Sequence, residues 1–457
     1  MERLALKVGR TIKRLCAKLA VVGNVVVAAS RSGQIVEPRK EADKKCILFS
    51  ASDADRGYHG SDGCFSPILE PIQEYYKCDS YNTINLSYPL SYYHSRELRG
   101  GAILLNRRAI VILLTELVEK IILGKRIALQ RKSSRRIKLL RTLLYNLRPS
   151  LIFAIQATPE LCRAAHELNM AVVEPMHGMH VSPKDKIFRN TISGIDTEAL
   201  PDAYLTYDDR TQATLSELIG NRSIAVFRIP HPWHVECNSY DSVLIDRKPS
   251  SMIFSSSKPI KILVTLQWGY GGERDSLRNI IPNGVLHPAI EQAISESPNV
   301  LWLLRMHPVQ LRARGYNPHR NYVRSLSERH SNVEWEDATS LPLPIILAKV
   351  QGHITMTSGS TGEAAIFGVP SLLLCPTLKP GGVHSGWFSE LAEEGLVEFG
   401  QLEPECVTNW ISRLSSAQLT SQRKNWQEER CKFVMTLDKI IETYGNFDSG
   451  KGQLCAR

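Results

Sequence analysis

This 457-residue chain has ten cysteines, but none falls in a Cys-x-x-Cys pair or at zinc-ligand spacing from a histidine. A structural zinc site is therefore not expected. No apolar run approaches the roughly 20 residues needed to span a bilayer. The stretch AIVILLTELV (109–118) falls well short, and no transmembrane helix is expected. There is no GK[ST] phosphate loop. Zinc-finger, RNP-aromatic and helix-turn-helix signatures are missing too, which leaves nucleic-acid readout without support. Internal repeats are lacking. Hydrophobic residues make up 43% and charged residues 22%, fractions that exclude a disordered, collagen-like or coiled-coil chain.

What is present points to two or three globular domains, at roughly 150 residues each. Several cysteines sit inside apolar runs, such as Cys46 in KKCILF and Cys375 in SLLLC. They read as small buried hydrophobes in a reducing cytoplasm. Residues 19–30 (LAVVGNVVVAAS) follow Arg10, Lys13, Arg14 and Lys18, an outline shared with signal peptides. Asn24 interrupts that apolar run, so no secretory signal is expected and the protein is assigned to the cytoplasm. The net charge is +10, from 56 Lys and Arg against 46 Asp and Glu. Its densest source is 125–148, which holds nine Lys or Arg and no acid. Ile137, Leu140, Leu144 and Leu147 share one helical face there, so the opposite face is cationic. Solvent, an anionic membrane surface or lipid phosphate, and nucleic acid compete for that face.

Short apolar stretches alternate with helical ones, the pattern of a parallel sheet covered on both faces. KCILFSA (45–51), NTINLSY (82–88), SLIFAIQ (150–156), MAVVEP (170–175), DAYLTYD (202–208) and SIAVFRI (223–229) read as strands of a first block. Helices are expected at 65–76, 107–124, 134–147, 159–169 and near 209–219. Residues 230–260 lose this periodicity, and their Pro and Ser mark a linker. A second block restarts at KILVTLQ (261–267) and runs through NVLWLLR (299–305), NVEW (332–335), VQGHITM (350–356), SLLLC (371–375) and LVEF (396–399). Helices at 404–415 and 418–444 follow, the last expected to pack back on the first block. The resulting plan is a basic segment at 1–44, Rossmann-like domains at 45–229 and 261–415, a linker at 230–260, and a helix and tail at 416–457.

Five constellations carry chemistry. In LLRMHPVQ, Arg305, His307 and Pro308 lie where a buried strand ends. Ligands of open α/β sheets bind beyond such ends, and a cation with an imidazole holds phosphate by charge-assisted hydrogen bonds. In HITMTSGSTGEAAIFGVPSLLL (353–374), a strand runs through Ser358, Gly359, Ser360 and Thr361 into a helix, offering hydroxyls and N–H groups to an anion. Glu363 on its first turn either offsets the helix dipole or binds ribose hydroxyls. In LQWGYGGE (266–273), Gln267, Gly269 and Gly271 form a loop at the same sheet edge, so three strand ends converge on one crevice. In VVEPMHGMH (172–180), Glu174, His177 and His180 follow a first-block strand, and an imidazole there suits a general base. In SASDADRGYHG (50–60), Asp53 and Asp55 act as turn formers or as catalytic carboxylates. His384, in PGGVHSGW, is a further donor-loop candidate.

These motifs resemble GT-B glycosyltransferases of bacterial surface and capsular polysaccharide assembly. The nearest in motif are CDP-glycerol glycerophosphotransferases, polysialyltransferases and capsule Kdo transferases. Those families share a His-Pro motif after a strand, here His307-Pro308 behind Arg305, and a Ser/Thr motif at a helix start, here Ser358, Ser360 and Thr361. Many also carry Gln-His-Gly at the end of a first-domain strand; here it is Met176-His177-Gly178. The resemblance spans about residues 150–400. It implies an α/β GT-B fold, two Rossmann-like domains with parallel sheets facing a central cleft, the donor on the second and the acceptor on the first. It also implies inverting transfer from a nucleotide-activated donor, with no catalytic metal and no cofactor, to a polysaccharide or lipid-linked acceptor. On this reading Arg305, His307 and the 358–361 loop hold the leaving phosphate, and His177 is the base, with Asp53 and Asp55 as competitors. Peripheral contact with the inner face of an anionic membrane would run through 125–148.

Two other functions stay open. Nonhydrolysing UDP-N-acetylhexosamine 2-epimerases share the His-Pro motif and a Ser/Gly–Glu-Glu-Ala helix start similar to Ser358–Ala364, but their Gly-Thr-Arg-Pro-Glu loop is absent here. A non-catalytic cationic scaffold that binds membrane or acidic polysaccharide is the third.

Overall fold

The computed structural model describes residues 45–53, 55–60, 62–79, 81–91, 93–178, 189, 192–238, 244, 252–270, 277–312, 314–414 and 425–445. The 1–44 segment, His180 and Gly271 lie outside these residues.

Cys46–Ala51 (β1) is buried at every position, as an unbroken apolar strand in a doubly covered sheet must be. Tyr58–Gly60 (β2) and Gly63–Phe65 (β3) form a small antiparallel hairpin. Asn82–Ser87 (β4), Ile103–Leu104 (β5), Leu151–Ala154 (β6), Val172–Pro175 (β7), Ala203–Thr206 (β8) and Ala225–Arg228 (β9) complete the first block. Its sheet is parallel, in the order β5-β4-β1-β6-β7-β8-β9. The chain moves outward from β1 in one direction, then returns to β6 and moves out in the other. The topological switch therefore lies between β1 and β6, where such sheets open a crevice for ligands.

The second block repeats this scheme. Ile260–Thr265 (β10), Val300–Arg305 (β11), Val333–Glu334 (β12), Gly352–Thr355 (β13), Ser371–Leu373 (β14) and Val397–Phe399 (β15) form a parallel sheet in the order β12-β11-β10-β13-β14-β15. Its switch falls between β10 and β13. Thr265 pairs with Arg305 on one side and Thr355 on the other, so β10, β11 and β13 end in register.

Each sheet is covered on both faces. One face of the first packs Ile47, Phe49 and Phe153 against the carboxy-terminal helix Trp426–Tyr444 through Phe433, Leu437, Ile440 and Ile441. The expected return of that helix is thus present, pinned by a hydrogen bond from Tyr76 Oη to the Leu437 carbonyl. The other face packs Leu48 and Ile152 against Leu140 and Leu144 of helix Lys125–Leu147. In the second sheet Trp302 is buried among Ile262, Leu304 and Trp410.

Besides the added strands β2, β3 and β5, two differences from the sequence reading matter here. Helix Lys125–Leu147 begins at Lys125 rather than 134, because only Gly124, at φ 85°, breaks it from helix Asn106–Ile122. The 230–260 stretch contains helix Pro232–Cys237, started by its proline and anchored by Trp233 against Tyr58 and Phe65.

Candidate active site

At the carboxyl end of β1 the chain turns through Ser52 and Asp53. The Asp55 carboxylate accepts from the Ser52 hydroxyl at 2.6 Å and its N–H at 3.2 Å. Asp55 is buried, and its other oxygen lies 2.9 Å from Nδ1 of His177, just past β7. Burial alone would raise the Asp55 carboxyl, but the hydrogen bonds from His177 and Ser52 outweigh it and hold the group below its ordinary value. The same bond lifts His177 above its ordinary value, against burial. The His177 side chain is 57% exposed, so Asp55 fixes Nδ1 while the rest of the ring meets solvent. A carboxylate holding one imidazole nitrogen leaves the other for proton transfer.

Asp53 is committed elsewhere. It accepts from the Ser87 and Ser91 hydroxyls at 3.1 and 2.8 Å, so it ties the loop after β1 to the end of β4 and the turn beyond it. Glu174, on β7, accepts from the Ala157 N–H at 3.2 Å. Burial pushes its carboxyl up to about 8, and Asp55 adds to the shift. The two neighbouring carboxyls are thus pushed in opposite directions, Asp55 toward the ionised form and Glu174 toward the protonated one, the divergence that separates an acid from a base. Beside Asp55, at the β1/β6 switch, is a cavity of about 110 Å³ lined by Ser52, Tyr88, Gln156 and Thr158 among others. The Tyr88 hydroxyl is buried there without a hydrogen-bond partner.

On the second sheet, Gln267 ties the three strand ends together. Its side-chain oxygen accepts from the Thr357 N–H and its amide donates to Thr357 Oγ1. Its backbone carbonyl accepts from Gln310 Nε2, in the His-Pro turn. Gly269 follows with φ 102°, a conformation that favours glycine. His307 accepts from the Val309 N–H, and its ring lies 6.2 Å from that of Trp268. Ser358 accepts from the Ser360 N–H at the start of helix Ser360–Ile366. The Thr361 hydroxyl is buried with no partner. His384 shares a 2.7 Å hydrogen bond with Thr377 in the loop after β14, which also follows a strand end of this sheet.

Two residues expected to face the donor are directed elsewhere. Arg305 donates from Nη1 to the carbonyls of Ala338 and Leu341, at 2.7 and 2.6 Å. Burial lowers its guanidinium to about 10, opposed by Glu363. It therefore braces the 338–341 turn. The Ser360 hydroxyl points into the sheet, 3.0 Å from Thr265 Oγ1 and 3.3 Å from His353 Nε2. His353 is fully buried and pushed down to about 3 by that burial, so it is a neutral core group.

One pair was missed by sequence reasoning. His234, in the 230–260 stretch, lies 3.1 Å from Glu363 Oε2 through Nε2. His231 stacks on it at 4.3 Å and meets Tyr207, past β8, at 4.5 Å. His231 Nδ1 and the Tyr207 hydroxyl are both buried without partners. Burial raises Glu363, against the pull of His231 and Arg305, while burial and His234 push His231 well down. A row of polar groups therefore crosses between the sheets, from Tyr207 to the expected ribose carboxylate. The available signal was PHPWH (230–234), with two histidines in a proline turn. Among the described residues no cluster of His, Cys, Asp or Glu is arranged to hold a metal ion.

No protein-family model matches the chain, and no curated protein matches it. Solved structures do. The glycosyltransferase of kitacinnamycin superposes with a TM-score of 0.53 at 13% identity, over 88% of this chain and 99% of that one. A UDP co-structure of MnaA from S. aureus gives 0.52 at 14%, over 90% of this chain and 100% of that one. The UDP-GlcNAc 2-epimerase from Neisseria meningitidis bound to UDP-GlcNAc gives 0.52 at 13%, over 88% and 99%. The chain has the α/β fold of these GT-B neighbours, two Rossmann-like domains each built on a parallel sheet.

Proposed function

We propose that this protein is a glycosyltransferase that moves a sugar or polyol phosphate from a nucleotide-activated donor to a surface-polysaccharide or lipid-linked acceptor. The observation that carries the reading is the Asp55–His177 pair on one sheet edge, combined with strand ends joined through Gln267 on the other. His177 removes the acceptor proton through its free edge, and Asp55 stabilises the imidazolium that forms. The cavity beside Asp55, with the buried Tyr88 hydroxyl, receives the acceptor. Gln267, His307, Ser358 and Thr361 surround the donor phosphate, Glu363 takes the ribose, and His384 borders the site. Hydrogen-bond donors fixed in advance at a departing phosphate lower the barrier without reorganising. No metal or cofactor is needed for these steps.

A specific observation favours a second reading. Burial favours the protonated form of Glu174 near the Asp55–His177 pair, and an acid next to a base also serves proton abstraction and return on a sugar, as an epimerase requires. Two measurements decide between the readings. Thermal shift with CMP, CDP and UDP identifies the base, and protection by at least one is expected. Incubation of that nucleotide's sugars without acceptor then separates the reactions. An epimerase converts the sugar, whereas a transferase leaves it intact until an acceptor is supplied. No protection by any nucleotide overturns both and leaves a non-catalytic scaffold.

A further inference from the structure

We infer that helix Asn106–Ile122 and the turn after it dock this protein on the surface of an anionic lipid bilayer. The helix carries an apolar stripe that the other described residues leave uncovered. Val111, Leu114, Val118, Ile121 and Ile122 recur at helical spacing, with Val111 62%, Ile121 81% and Ile122 71% exposed. Leu117 lies beside them, and Ile127 and Leu129 extend the patch past Gly124. Folded proteins rarely leave so many large apolar side chains together in water, and such patches mark contact surfaces.

The charges around the stripe select the occupant. Arg107 and Arg108 are exposed at one end, and Lys125 and Arg126 at the other. The nearby acids do not offset them. Glu116 pairs with Lys120 and Lys132, and Glu119 pairs with Arg131 and Arg135. The patch is therefore apolar with a cationic border. A second copy would bring the same cations face to face. An anionic headgroup layer above hydrocarbon matches both the charge and the apolar stripe. No described helix is long and apolar enough to cross a membrane, so the contact is interfacial. The ion pairs to Glu116 and Glu119 occupy Arg131, Lys132 and Arg135, so the contact centres on the preceding helix and the first turns after Gly124 rather than on the whole of 125–148.

Flotation of the full-length protein with vesicles of phosphatidylcholine alone, or mixed with phosphatidylglycerol, tests this. Binding to the mixed vesicles is expected, falling at least about tenfold at high salt. The exposed double variant Ile121→Glu/Ile122→Glu is expected to abolish binding with an unchanged melting temperature, and Arg107→Glu/Lys125→Glu to weaken it. Equal binding to neutral vesicles overturns the ionic part of the inference. No binding by the unaltered protein overturns the whole, as does self-association in sedimentation that the apolar variants abolish. Neither result bears on nucleotide binding, which the same variants should retain.

Discussion

Asp55 and His177 are far apart in sequence yet share one hydrogen bond, and that bond sets how the site responds to pH. A carboxylate on Nδ1 raises the imidazole, so the neutral base appears at higher pH than it would without Asp55. Asp55→Asn should move the acid limb of the pH–rate profile to lower pH and reduce turnover, because the ring loses its orientation. His177→Ala should cut turnover by about 10²- to 10⁴-fold and leave nucleotide affinity unchanged; a variant as active as the parent would remove the base assignment. Glu174 gives a separate signature. Its folded value of about 8 lies above the ordinary glutamate range, so the folded protein holds a proton the unfolded chain has released. The stabilisation this brings is complete in acid and is lost as pH rises through about 8. Glu174→Gln should flatten that decline, which runs from the ordinary glutamate range up to about 8, in urea unfolding measured across pH.

At the scale of elements, the parallel strands were legible because continuous apolar runs bounded by Gly, Pro and Asp leave little choice of structure. The convergence of LQWG, RMHP and TSGST on one edge was legible for the same reason, since each follows a strand. Side-chain direction was not. Arg305 turns to carbonyls at 338 and 341, partners that no local pattern announces. Ser360 turns inward to join the buried polar cluster of Thr265 and His353. His234 escaped notice because it lies in the stretch read as a linker and its partner Glu363 lies in the second domain. Arg305→Met should therefore lower stability by about 2–3 kcal/mol, since two carbonyls lose a charged donor. Calorimetry checks it. A variant with normal melting but weak nucleotide binding would restore Arg305 as a ligand.

For the whole molecule, the decisive join is the carboxy-terminal helix laid against the first sheet. Leu437 is fully buried there, and Leu437→Ala should cost about 2–5 kcal/mol, read as an earlier urea transition of the first domain. An unchanged midpoint would mean that the helix only rests on that surface.

This arrangement orders events during synthesis. The amino-terminal sheet leaves the ribosome first, yet the side chains that seal Tyr76 and Phe153 belong to a helix translated only after the entire second domain. The part of the first sheet's flank covered by Trp426–Tyr444 therefore stays open to water until the last stretch of chain arrives to close it.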